Sequence, residues 1–121
     1  MSAPARPIRV LLVEDNDVYR DSLVFLLAAR TDLEVVGAEA TGQGAVRRAR
    51  ELEPDVAVVD FRLPDIDGGT VAASVESAVV FLSASAGEAE YDAASSAGAA
   101  LVRKDEGLDV LVGAIRAAAG R

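Results

Sequence analysis

Short apolar runs punctuate this chain, and each stretch between them carries apolar residues at helical spacing. The runs are Ile8–Val13, Glu34–Ala38, Val56–Val59, Ala78–Leu82 and Ala99–Val102. Continuous β-branched runs bounded by turn signals predict strands buried on both faces, as in parallel sheets covered by helices. After the first run, Asn16 or Asp17 can cap a helix with Val18, Tyr19, Ser22, Leu23, Leu26 and Leu27 at helical spacing, reaching about Arg30. Thr41 caps a second helix, with Ala45, Val46, Ala49 and Leu52 facing in and Arg47, Arg48, Arg50 and Glu51 facing out; Pro54 stops it. A short third helix is expected over Thr70–Ser77. The S-x-x-E pattern of Ser85–Glu88 predicts the start of a fourth. Leu108, Leu111, Val112, Ile115 and Ala119 give a last helix its apolar face. Five strands alternating with helices predict an α/β domain with a parallel sheet, spanning residues 8–119 after a flexible lead over 1–7.

Composition narrows the function. At 121 residues the chain is one domain, and with 51% apolar but only 4% aromatic residues its core must be aliphatic. A net charge of −8 argues against a nucleic-acid-binding face, which would be basic. The absence of Cys and His leaves oxygen as the available metal donor. The first residues lack the apolar core of a signal peptide and no apolar run is long enough to span a membrane, so a cytoplasmic location is expected.

The chemistry gathers where the strands end. In a parallel sheet every strand's carboxyl end lies on the same side, where doubly wound folds bind their ligands. Glu14 and Asp15 follow the first strand and Asp60 the third; Ser83 ends the fourth and Lys104 follows the fifth. The doubly wound order 2-1-3-4-5 would set strands one and three side by side and bring Asp15 close to Asp60. Three close carboxylates repel one another unless a cation sits among them, and an all-oxygen set suits Mg²⁺. A carboxylate can also act as a nucleophile and form an aspartyl phosphate. Lys104 could then neutralise the transferring phosphoryl group, and Ser83 could hydrogen-bond one of its oxygens.

Two other motifs carry less. DIDGGT, Asp65–Thr70, is similar to the D-x-D-G-T nucleophile motif of haloacid-dehalogenase-type phosphatases, but Phe61–Pro64 separate it from the strand and it holds an extra Gly. Gly42-Gln43-Gly44 is part of a G-x-G-x-x-G pattern, broken by Arg47, and reads as a turn and helix start.

VEDN (Val13–Asn16), VVDFRLPDIDG (Val58–Gly68), FLSA (Phe81–Ala84) and GAALVRKD (Gly98–Asp105), in that order, resemble the receiver domain of two-component response regulators. The segment from Leu33 to Asp60 looks most like receivers of LuxR-type (NarL/FixJ-like) regulators. The resemblance implies a flavodoxin-like fold with Asp60 as phosphoacceptor. It implies Mg²⁺ held by Glu14, Asp15, Asp60 and the Arg62 backbone carbonyl, with Ser83 and Lys104 meeting the phosphoryl group. Arg62 and Ser85 would tune dephosphorylation. Phosphate would come from a sensor histidine kinase, and the domain would catalyse its own phosphotransfer without being a conventional enzyme. A homodimer or partner surface would switch, and DNA would be reached only through a LuxR-type domain outside this chain.

Two departures stand out against that family. The stretch between Gly68 and Ser83 is short by roughly two helical turns, taking about 3.6 residues per turn, so the third helix must be short. Leu101 stands where the family's aromatic switch residue is expected, and a Leu cannot present the same planar surface. These departures keep open an alternative: a receiver-fold interaction module that switches without phosphate.

Overall fold

The computed structural model describes residues 6–85 and 87–121; of the lead expected over 1–7, residues 1–5 lie outside the described residues. Strands β1 (Ile8–Val13), β2 (Leu33–Glu39), β3 (Val56–Asp60), β4 (Ala78–Ser83) and β5 (Ala100–Arg103) alternate with helices α1 (Asp17–Ala28), α2 (Gly42–Leu52), α3 (Gly68–Ser74), α4 (Glu88–Ser96) and α5 (Leu108–Ala118). The strands form one parallel sheet in the order β2-β1-β3-β4-β5. This is the doubly wound arrangement that the alternation predicts.

Strand periodicity of two divides the core into two layers. Val10, Leu12, Val56, Val58, Val80, Leu82 and Val102 pack with Leu23 and Leu27 of α1 and Leu111, Val112 and Ile115 of α5. The intervening residues Leu11, Val13, Ala57, Val59, Val79 and Phe81 pack with Ala45 and Ala49 of α2, Val71 of α3 and Ala94 of α4. The parity matters beyond the last strand residues. Glu14, Asp60 and Lys104 continue the α1–α5 series of β1, β3 and β5, whereas Ser83 and Leu101 continue the opposite one. Phe81 is the largest fully buried side chain, and its ring lies 4.4 Å from that of Phe61, centroid to centroid.

Several local expectations shift. In α1 two apolar stripes share helical spacing, and only one can face the sheet. Tyr19, Leu23 and Leu27 turn inward, while Val18, expected inside, is 78% exposed. The helix ends at Ala28 rather than near Arg30, whose N–H bonds to the Leu27 carbonyl in a turn. Helix α3 begins two residues before the expected Thr70, because the Asp67 carboxylate accepts from the Thr70 N–H and caps it there. It ends at Ser74, where Val75 turns extended, so this helix is indeed short. Ser85 does not cap α4. Gly87 holds the cap position, and Glu90, not Glu88, reaches back to accept from the Gly87 N–H. The Ser85 carbonyl is instead engaged by the Ser83 hydroxyl. Strand β5 runs one residue later than expected, through Arg103. No described helix is long and apolar enough to cross a membrane.

Because Phe81 is fully enclosed and joins both β3 and the Phe61 ring, Phe81→Ala leaves a cavity that the alanine-rich layer cannot refill. The substitution is expected to cost about 3–5 kcal/mol, measured by urea unfolding.

Candidate functional site

The carboxyl edge of the sheet becomes a site because parallel register places the ends of β1, β3 and β5 on one side. Val13 pairs with Val59, Asp60 with Leu82, and Ser83 with Arg103. Beyond these pairs, Lys104 is tied to β4 by its N–H to the Ser83 carbonyl, 2.8 Å. Its Nζ reaches back across the sheet, donating to Asp60 Oδ2 at 2.7 Å and to Glu14 Oε1 at 3.0 Å. Both acids are buried and the Lys104 side chain is largely so. Asp60 Oδ1 accepts from the Arg62 N–H at 3.0 Å.

The backbone around Asp60 is held tightly. The Phe61 N–H bonds to the Leu82 carbonyl and the Gly68 N–H to the Phe61 carbonyl. A Cβ at position 68 would stand 2.7 Å from the Asp60 carbonyl oxygen and 2.9 Å from the Phe61 Cα, so only glycine closes this turn without displacing the acid. On the β1 side, Arg20 donates to the Glu14 carbonyl and the Asn16 N–H to Glu14 Oε1. The Asn16 side chain caps α1 through the Tyr19 N–H.

Asp15 is exposed, yet one oxygen each of Glu14, Asp15 and Asp60 lies within 4.8 Å of the others, a set that could hold a metal ion. Glu14 Oε2 is buried without a hydrogen-bond partner among the described residues. With Arg62, Ser83, Ser85 and Lys104 these acids line a pocket of about 330 Å³.

Charge is balanced unevenly. Burial pushes Glu14 up to about 7, and the neighbouring Asp60 carboxylate pushes the same way against Lys104. Burial also pushes Asp60 up, but the adjoining Glu14 carboxyl, Lys104 and the Arg62 N–H hold it below the ordinary carboxylate range. Lys104 stays charged: burial works against it, and its two carboxylate partners prevail. The site at neutral pH therefore holds an ionised Asp60 against an ammonium.

Three predicted residues sit apart from this contact. Ser83 is buried beside Asp60, but its hydroxyl donates to the Ser85 carbonyl at 2.7 Å. The Arg62 side chain is exposed, with its guanidinium 3.9 Å from Glu90 at the start of α4. Leu101 is half-buried opposite Phe81 in the α2–α4 layer. Two roles escape a sequence reading. The Tyr19 ring lies 4.6 Å below the Lys104 ammonium; helical spacing marks that residue only as apolar. Asp65, from the phosphatase-like DIDGGT stretch, accepts from the Gly42 and Gln43 N–H groups and so caps α2.

Residues 10–116 match the response regulator receiver domain. The chain belongs to that family. The receiver is 37% identical over 98 residues to protein-glutamate methylesterase/protein-glutamine glutaminase 2 of Anaeromyxobacter dehalogenans, covering 78% of this chain and 29% of that protein. It thus spans under a third of that relative's length. Among solved structures, the receiver superposes on the signal receiver domain of NarL from Mycobacterium tuberculosis with a TM-score of 0.87 at 28% identity, covering 97% of this chain and all of that one. A LuxR-family two-component response regulator from Aurantimonas sp. SI85-9A1 gives 0.88 at 30% identity, with 95% and 87% covered. The LuxR-type likeness read from the sequence is therefore met in structure.

Glu14 keeps its proton to higher pH in the folded receiver than in the unfolded chain. Its contribution to stability is full below about 4.5 and is lost as pH rises through about 7. In chelator, wild type should lose thermal stability relative to Glu14→Gln between pH 5 and 8. Parallel melting curves for the two proteins would contradict this.

Proposed function

We propose that Asp60 is the phosphoacceptor of this receiver and that Glu14, Asp15, Asp60 and the Arg62 backbone carbonyl hold Mg²⁺. The observation that carries the reading is the buried contact of Asp60 with Lys104 beside an acid oxygen that lacks a partner. The donor set is all oxygen, as a hard cation requires. When bound, Mg²⁺ would neutralise charge on the phosphoryl oxygens.

The chain's own residues supply the rest. Asp60 is ionised at neutral pH, so its carboxylate can attack phosphorus without a separate base. The new bond joins an Asp60 oxygen to phosphorus. The bond from phosphorus to the donor breaks, and the donor leaves with its electron pair. Lys104, already at Asp60 Oδ2, stabilises negative charge on the transferring group. Ser83 would turn from the Ser85 carbonyl to bond a phosphoryl oxygen, drawing the loop before α4 with it. Arg62 and Ser85, flanking the pocket, would set how readily water reaches the acyl phosphate.

The donor is a sensor histidine kinase, and residues 8–119 form the receiving unit. Output is a switched surface, either a homodimer contact or a partner contact, and control of transcription would run through a LuxR-type domain of a longer protein. Leu101 fills the aromatic switch position, so the change spreads by aliphatic packing against Phe81 rather than by a turning ring. A cytoplasmic location fits a kinase partner of this kind.

Intact mass after incubation with Mg²⁺ and acetyl phosphate tests the reading. Wild type should gain one phosphoryl group, Asp60→Asn none, and Lys104→Ala should react about a hundredfold more slowly. A folded wild type that stays unmodified with both acetyl phosphate and a cognate kinase would overturn it in favour of a phosphate-independent interaction module.

A further inference from the structure

Lys104 stands at the border of two cavities. One is the acidic pocket. The other is a slot of about 170 Å³ between α1 and α5, lined by Tyr19, Leu23, Leu26, Lys104 and Leu108 among others. Tyr19 and Lys104 both line the slot, with Nζ 4.6 Å from the ring centroid. The Asn16 side chain accepts from the Tyr19 backbone N–H at 2.9 Å, which holds the residue at the start of α1, and its side chain packs against the α1–α5 core layer.

An ammonium has three donors. Two of them are taken by Glu14 and Asp60. A ring face is attracted to a cation by its quadrupole, carries no net charge and does not compete for protons. Of these three partners of the ammonium, it is therefore the one that phosphorylation leaves unchanged. Glu14 would turn to a bound cation and Asp60 would become an acyl phosphate, a mixed anhydride without the carboxylate charge, so both carboxylate partners are lost or weakened as the phosphoryl group arrives. Until the phosphoryl oxygens take their place, a Lys side chain held by nothing else is free to swing into the slot or towards solvent, with the entropy of a long flexible stem.

We propose that Tyr19 is a positioning residue for phosphoryl transfer: its ring face holds the Lys104 ammonium at the reaction centre while the carboxylate partners of that ammonium change. The inference rests on Asp60 being the phosphoacceptor. Tyr19 touches neither the reacting oxygen nor the cation set; it acts through Lys104.

The experiment is a rate series for adduct formation from acetyl phosphate at saturating Mg²⁺, followed by intact mass. Tyr19→Phe keeps the ring face and should react within about twofold of wild type. Replacing Tyr19 with 3,4,5-trifluorophenylalanine keeps the ring's shape but withdraws charge from its face, and should slow the reaction about five- to tenfold relative to Tyr19→Phe. Tyr19→Leu should be at least as slow. Mg²⁺ affinity should be the same throughout. Ring packing alone would leave the fluorinated and plain phenyl variants equal, which would overturn the proposal even if Tyr19→Leu proves unstable. A Tyr19→Phe variant as slow as Tyr19→Leu would also overturn it, by assigning the effect to the hydroxyl. Absence of any adduct on wild type would mark failure of the Asp60 reading itself, and this inference would fall with it; a wild type that reacts and a flat series would reject Tyr19 alone.

Discussion

A single ammonium bridging two buried carboxylates is the contact on which the carboxyl edge of this domain depends. Glu14, Asp60 and Lys104 continue the same α1–α5 side of three strands, and Lys104 reaches both acids there. Burying two acids side by side is costly, and removing one partner of a buried charge group typically costs about 3–5 kcal/mol. The chain meets that cost in two ways: Lys104 reaches both acids, and Glu14 retains its proton towards neutral pH. The consequence is functional. Of the two acids only Asp60 is held below the ordinary carboxylate range, by the adjoining Glu14 carboxyl and Lys104 first and the Arg62 N–H after them.

The aliphatic core serves this arrangement more than the site serves the core. Val56–Val59 are fully buried on both faces, so β3 cannot slip or tilt without exposing apolar surface, and the acid at its end is fixed in consequence. The turn after Asp60 is closed by Gly68, where a side chain would strike the Asp60 carbonyl. The opposite layer has a different character. It is built around Phe81 and Phe61 with alanines from α2 and α4, and it carries Ser83 and Leu101. That division puts Glu14, Asp60 and Lys104 on the α1–α5 side and Ser83 and Leu101 on the side covered by the small residues of α2 and α4.

Much of this was legible in the residues. Continuous apolar runs located all five strands, and the position of Asp60 at the end of the most buried run singled it out before any geometry was available. Helix ends were less readable because capping is settled by which polar group wins a given N–H. Asp67 captured the Thr70 N–H and drew α3 forward, and Ser85 lost its expected capping role to Gly87 and Glu90. In α1 the stripe containing Val18 and the stripe containing Tyr19 were equivalent by spacing; only packing on the sheet chose between them. The contact between Tyr19 and Lys104 joins residues far apart in sequence, and an apolar label hides an aromatic ring's ability to meet a cation.

In the proposed reading the Lys104 ammonium and Mg²⁺ draw on the same two acids, Glu14 and Asp60. Calorimetric titration with Mg²⁺ tests it most directly. Wild type should bind one equivalent, Asp60→Ala none, and Lys104→Ala, in which the competing ammonium is gone, should bind more tightly. A Lys104→Ala protein, folded, that binds Mg²⁺ no better than wild type, or a wild type that binds none at millimolar concentration, would contradict it.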